Sequence, residues 1–313
     1  METRTITLTS AKHFGRKVPP RAFGEVLRTI PTLTRQSIRM AFEGRSQARG
    51  RKPGWLAAAS DIRFVGHEGD DETRLFFEAP TFGEAAEELY SQQEIWPTRP
   101  APRDTGFDAL ADVVLDVASG KRDSERFDRP LLKRVAELGR GLDRVFQGCL
   151  IEARGDRARQ SARVDRQVIE QAESLTRAMP RPQQARIAGV LDMIRASTNT
   201  LAIRLETGEE VKGILTVGSV VDLHDLFQKP VTLLGRAVYR PSGALLRVDA
   251  VEVRQMQEED EFFARIPEPT MRPLNMMEVQ REQRGKGGVA VIIGRWPGDE
   301  SDAEIDAALR ELS

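Results

Sequence analysis

Four aspartates, Asp104, Asp108, Asp112 and Asp116, recur at every fourth position, a spacing that lines them up along one face of a helix. Clustered carboxylates can hold a divalent cation, but these would form a line rather than a cage around a point. Like charges at this spacing cost a helix roughly 0.2–0.5 kcal/mol per pair, so the row calls for counter-charges. The protein's own basic side chains, such as Lys133, Arg140 and Arg144 on the next predicted helix, are the simpler source. His67 stands beside Glu68, Asp70, Asp71 and Glu72, in ligand-like company. The same acidic-glycine stretch is what a tight turn uses for backbone reasons. His13 and His224 have no partner in the sequence, and the lone Cys149 reads as buried and inert. In GlyLysGlyGly (285–288) the glycines precede a strand-like run, whereas a phosphate loop needs Ser or Thr after the lysine and a helix after that. No nucleophile–base pair and no metal cluster emerges, so the expectation is a protein without catalytic residues, metal or cofactor.

A basic loop from 45 to 54 is the best nucleic-acid candidate. Arg45, Arg49, Arg51 and Lys52 could meet phosphates, and Trp55 could stack on a base. The alternative is that Trp55 anchors the following helix. Charge is segregated along the chain: residues 1–55 carry an excess of about nine positive charges and 56–119 an excess of about ten negative ones. Such blocks should face each other or a partner. The overall formal charge of -1 excludes a general polyanion-binding character. A single cysteine suits a reducing cytosol, METRTITLTS lacks a signal-peptide core, and no apolar run reaches membrane-spanning length. The expectation is a cytoplasmic protein.

The elements that would position these groups form an α+β pattern. In the N-terminal domain (1–179), residues 5–9 alternate like a strand, and Arg21 to Phe42 has helical spacing interrupted by Pro31. Segments 61–66 and 73–78 flank a hairpin turn, and a second hairpin is expected around residues 155 and 156. Helices are predicted at 82–92, 104–118, 129–146 and 165–179, with Asp128 capping the third and Pro130 in its first turn. The prolines at 180 and 182 mark a boundary. Beyond it, strands at 185–196, 201–206 and 210–216, a short helix at 219–228, and strands at 231–239 and 244–253 follow one another. That is the order of a small five-stranded OB-like β-barrel (184–256), with Gly189 and Gly235 where tight coiling needs a bend. Arg186, Arg195, Arg204, Arg236, Arg240 and Arg247 supply positive charge, but the module offers only Phe227 and Tyr239 as aromatic platforms, which favours docking or structure over base stacking. Leu205 to Leu215 resembles the first motif of Sm-like RNA-binding proteins, although the helix after the third strand departs from that topology.

Residues 257–288 read as a linker, leaving an extended tail, 289–313. It has a strand-like run that includes Val291 and Ile293, then Arg295, Trp296 and Pro297, then a short C-terminal helix with the stripe Ile305, Ala308, Leu309 and Leu312. Ser301 and Glu304 have capping-box spacing. A helix this short is marginal alone, so its stripe requires a surface. The stretch Gly294 to Ser313 resembles the ending of bacterial antitoxins that pair with PIN-domain ribonuclease toxins. Trp296, Pro297, Gly298, Asp299, Glu300 and Asp302 match that ending, with Arg295 in place of Lys and Ser301 in place of Thr. The resemblance covers about 20 residues and implies a tail that wraps the toxin and brings a basic side chain such as Arg295 to its acidic metal site.

Overall fold

The computed structural model describes residues 1–50, 52–90, 100–142, 145–154 and 159–270, and residues Met1–Arg272 belong to one compact unit. The predicted α+β class with a small closed barrel is the observed one. No helix among the described residues is long and apolar enough to cross a membrane.

The N-terminal half is an antiparallel sheet of five strands: β1 (Glu2–Thr9), β2 (Arg63–Glu68), β3 (Thr73–Ala79), β4 (Gly148–Arg154) and β5 (Arg159–Val164). Their spatial order is β2-β3-β1-β4-β5. Period-two alternation decides which face is buried. Ile6 and Leu8, Leu75 and Phe77, Cys149 and Ile151, and Ala162 and Val164 point into the core, while Thr3, Thr5, Arg74 and Glu152 point away from it. The core is completed by helices α1 (Pro20–Glu43), α4 (Gly106–Ala118), α5 (Arg129–Leu142) and α6 (Arg166–Ala178). Two short helices, α2 (Gly54–Ala59) and α3 (Phe82–Ala85), join a satellite cluster around Phe42 and Trp55.

Two local expectations are corrected. Pro31 does not interrupt α1, which runs unbroken to Gly44 in the left-handed conformation, its N–H bonded to the Met40 carbonyl. Pro31 removes one backbone bond, but Ile30, Leu33 and Thr34 are fully buried around it and hold the turn in place. The helix predicted over 82–92 is only one turn long. It starts with a Thr81–Glu84 capping box, ends at Ala86 (φ -134°), and gives way to a 3-10 turn at Glu87–Leu89.

The second half is the barrel: β6 (Gln183–Arg195), β7 (Thr200–Arg204), β8 (Glu210–Leu215), β9 (Pro230–Tyr239) and β10 (Leu245–Gln255), closed in the order β10-β8-β7-β6-β9. The β10–β8 pair is parallel and the other four are antiparallel, with a 3-10 helix at Val220–Leu226 between β8 and β9. Gly235 sits at a bulge in the β9–β10 ladder, where an added Cβ would lie 2.3 Å from the Asp249 carbonyl oxygen. Gly189 likewise lies under the Arg204 carbonyl, so both glycines occupy positions of close backbone approach.

The stretch read as a linker begins as part of the barrel. A 3-10 turn at Glu258–Phe263 lays Asp260 into a closed site against Thr232, Arg186 and Arg254. Burial works against the Asp260 charge, but the Gln257 N–H, the Thr232 hydroxyl and Arg254 hold its carboxyl below the ordinary range. Further on, the Gln183 side chain accepts from the Thr270 N–H and donates to the Glu268 carbonyl.

Candidate functional site

Barrels of this topology bind oligonucleotides on the face of their second and third strands and with the loop between the fourth and fifth. Here those strands are β7 and β8, and the loop is Arg240–Ala244. Part of that surface, the loop and Lys212 of β8, already has an occupant within the chain. The segment Lys121–Asp128, between α4 and α5, lies against it. Ser242 N–H donates to the Arg122 carbonyl (3.3 Å), and Arg122 Nη2 donates to the Pro241 carbonyl (3.0 Å). Glu125 is gripped from two sides, by Lys212 of β8 at 2.8 Å and by Arg240 of the loop at 2.6 Å. Burial pushes the Glu125 carboxyl up, but the two cations outweigh it and leave the group below its ordinary value.

The deeper half of the junction centres on Asp128. One carboxylate oxygen accepts the Leu131 N–H and so caps α5, as its position ahead of Pro130 predicted. The same carboxylate accepts the Ser46 hydroxyl and the Ser46 N–H (3.0 Å), and it faces Arg247 of β10 at 3.4 Å. Arg247 also donates to the Gly44 carbonyl (2.9 Å) and to Asp249 (2.8 Å). Both side chains of the pair are at least nine-tenths buried. Leu246, beside Arg247, is counted in the core of the N-terminal half. Sequence reasoning singled out Asp128 as a cap and missed its second role, because Ser46 and Arg247 lie 82 and 119 residues away.

Two of the predicted nucleic-acid residues, Trp55 and Arg45, are turned towards the protein's own groups. Trp55 is 4% exposed, its ring 5.4 Å from that of Phe42, so it anchors α2 and presents no platform to a base. Arg45 turns back to the buried Glu43 at 2.9 Å, where Arg39 also reaches. Arg49 and Lys52 are exposed, and Arg51 lies outside the described residues. Of the barrel arginines, Arg186 packs over Phe263 and meets Asp260, Arg204 pairs with Asp192, and Arg240 and Arg247 belong to the junction.

Asp108, Asp112 and Asp116 find counter-charges on β1 and on the segment after α4. Asp108 meets Arg4 of β1 at 3.0 Å and completes a capping box with Thr105. Asp116 accepts the Ser124 hydroxyl (2.6 Å) and pairs with Arg126 and Lys121, and Asp112 faces Arg126. Asp104 is pushed up by burial and by Asp108, while the Ala101 N–H works in the other direction. The Arg4–Asp108 pair joins the basic N-terminal block to the acidic block that follows it. His67 packs its ring 5.1 Å from that of Phe23, with Nε2 3.2 Å from the Arg16 carbonyl. Among the described residues no group of three or more His, Cys, Asp or Glu side chains could hold a metal ion. Burial pushes the Cys149 thiol up to about 12.

One surface went unread in the sequence. The outward face of the sheet has a hollow of about 390 Å³ lined by Thr5, Thr7, Thr9, Arg74, Phe76 and Arg163 among others. The register sets Arg74, Thr7, Leu150 and Arg163 in one row across four strands. The signal was the alternation of threonine with Ile6 and Leu8, read only as a sign of strand. Glu72 and Glu152 also line the hollow, so its charge is mixed, suiting polar contact rather than proton transfer. The predicted partner-binding residues Val291, Ile293, Arg295, Trp296, Pro297, Ile305, Leu309 and Leu312 all lie outside the described residues. In comparisons with known proteins, no protein-family model, no curated protein and no solved structure matches the chain.

Proposed function

We propose that this chain is a non-catalytic, antitoxin-like protein of the cytoplasm that binds and inhibits a PIN-domain ribonuclease toxin through its C-terminal tail. The sequence from Gly294 to Asp302 carries the reading, since its Trp-Pro-Gly-Asp-Glu core follows the ending of that antitoxin class. A large aromatic anchor, an adjacent arginine and an apolar helical stripe are also the groups from which interface hot spots are built. What supports protein binding over the nucleic-acid alternative is the junction. Lys212 and Arg240, on the surface with which such a barrel would take an oligonucleotide, are paired with Glu125 of the same chain. Trp55, the one aromatic of the basic loop, is buried.

The test is co-purification of the full chain with a PIN-domain protein encoded beside it. Binding should be lost on deletion of residues 289–313 and weakened at least tenfold by Trp296→Ala, a typical cost for a hot-spot aromatic being about 2 kcal/mol or more. Unchanged affinity in both variants would sink the reading. Tight, salt-dependent oligonucleotide binding that disappears when Arg49, Arg51 and Lys52 are neutralised would favour the alternative.

A further inference from the structure

Among the described residues β2 is an edge strand of the N-terminal sheet and pairs on one side only, with β3. An edge strand leaves a row of N–H and C=O groups open to another chain, and proteins usually protect it with lysine, proline, inward-pointing charge or a β-bulge. β2 has no lysine, proline or inward-pointing charge at its centre, only a bulge. Its middle residue, Val65, is 60% exposed, and Phe64 beside it is also open to solvent.

The register shows why this edge fits a copy of itself. Arg63 pairs with Glu78, Phe64 with Phe77, Gly66 with Phe76, His67 with Leu75 and Glu68 with Arg74, which leaves Val65 as an extra, bulged residue. Phe77 and Leu75 face the core, so Phe64 and His67 share the helix-side face. Arg63 and Glu68 share the opposite face. Without the bulge, residues an odd number apart would alternate faces and the strand could not be symmetric. With it, the strand reads the same from both ends: charge, ring, Val65–Gly66, ring, charge.

We propose that β2 pairs antiparallel with β2 of a second copy of this chain, about a two-fold axis through Val65–Gly66. In that register Arg63 lies opposite Glu68 of the second copy, and Phe64 lies opposite its His67. The opposite signs of Arg63 and Glu68 at the two ends make two equivalent ion pairs, and the two-fold relation is the isologous contact expected of a homodimer. The rings extend a cluster that already exists, for Phe64 stands 5.7 Å from Phe23 and His67 5.1 Å from it. The pairs that Arg63 and Glu68 now make, with Asp61 and Arg74, have every partner about half exposed or more, so exchanging them costs little. The inference is independent of the tail and of any toxin.

Sedimentation velocity on the full chain over a concentration series is the test. The wild type should show a monomer–dimer equilibrium. Arg63→Glu and Glu68→Arg should each weaken it roughly tenfold by setting like charges opposite one another in two places. The double swap should recover most of the loss. Val65→Lys, at an exposed position that leaves the fold intact by circular dichroism, should abolish the dimer. A monomer at every concentration overturns the proposal, as does a dimer that none of these variants moves, or a double variant no tighter than the single ones.

Discussion

Replacing Asp128 with alanine should destabilise the folded chain far more than any other change on the junction. The carboxylate caps α5 through the Leu131 N–H, an interaction worth about 1 kcal/mol. It also takes both Ser46 donors and faces the buried Arg247. Removing one partner of a buried ion pair costs about 3–5 kcal/mol when the other charge is left unsatisfied. Here Arg247 keeps Asp249 and the Gly44 carbonyl, so the loss should fall at the lower end. The sum is about 4 kcal/mol. Glu125→Ala removes pairs whose members are partly exposed, and the expected loss is at most about 1 kcal/mol. Asp128→Asn, which retains an acceptor for the cap, should fall between them. Urea unfolding followed by circular dichroism measures all three. Because Leu246 and Arg247 tie the barrel to the N-terminal core, the wild type should unfold in one transition. The reasoning is refuted if Asp128→Ala and Glu125→Ala cost the same within error.

Other consequences follow from single groups. Gly235→Ala should cost roughly 1–3 kcal/mol by denaturant titration, because its Cβ would sit 2.3 Å from a backbone oxygen that the ladder holds in place. Cys149, buried and with its thiol pushed up to about 12, should resist an alkylating reagent at neutral pH in the native chain and react promptly in denaturant, as mass spectrometry would show. The Glu125 carboxyl is held below its ordinary value of 4.5, so its contribution to stability is complete above that pH and is lost as pH falls through the folded value. Lys212→Ala should therefore raise the Glu125 midpoint in an NMR titration and flatten the acid limb of the stability curve.

The barrel was legible in the sequence because its β-rich segments are bounded by turn residues and follow one another in the order of such a barrel. Gly235 marked the bulge because only a residue without a Cβ fits there. The capping role of Asp128 was legible for the same kind of reason, since the cap and Pro130 are neighbours. What could not be read was everything that depends on distant pairing. The counter-charges of the aspartate row come from Arg4 and Arg126, and no local spacing announces that β1 passes beside α4. Trp55 illustrates the opposite failure. Beside four cations it suggested a stacking platform, yet its ring packs from α2 against Phe42 in a buried cluster. Pro31 suggested a break, but tertiary packing outweighed one missing hydrogen bond. The threonine row on β1 was visible, but that it would border a hollow depended on Arg74 and Arg163 arriving from two other strands.

The central claim is that the chain recognises a protein through its tail, while its own segment Lys121–Asp128 occupies part of the barrel surface that would otherwise meet nucleic acid. Titration calorimetry of the full chain and of residues 1–272 against a purified PIN-domain ribonuclease, with a single-stranded RNA as the competing ligand, tests it most directly. The predicted result is tight binding of the ribonuclease by the full chain, none by the shorter form, and no appreciable RNA binding by either. Equal ribonuclease binding by both forms, or RNA binding by the shorter form that weakens steeply with salt, would contradict it.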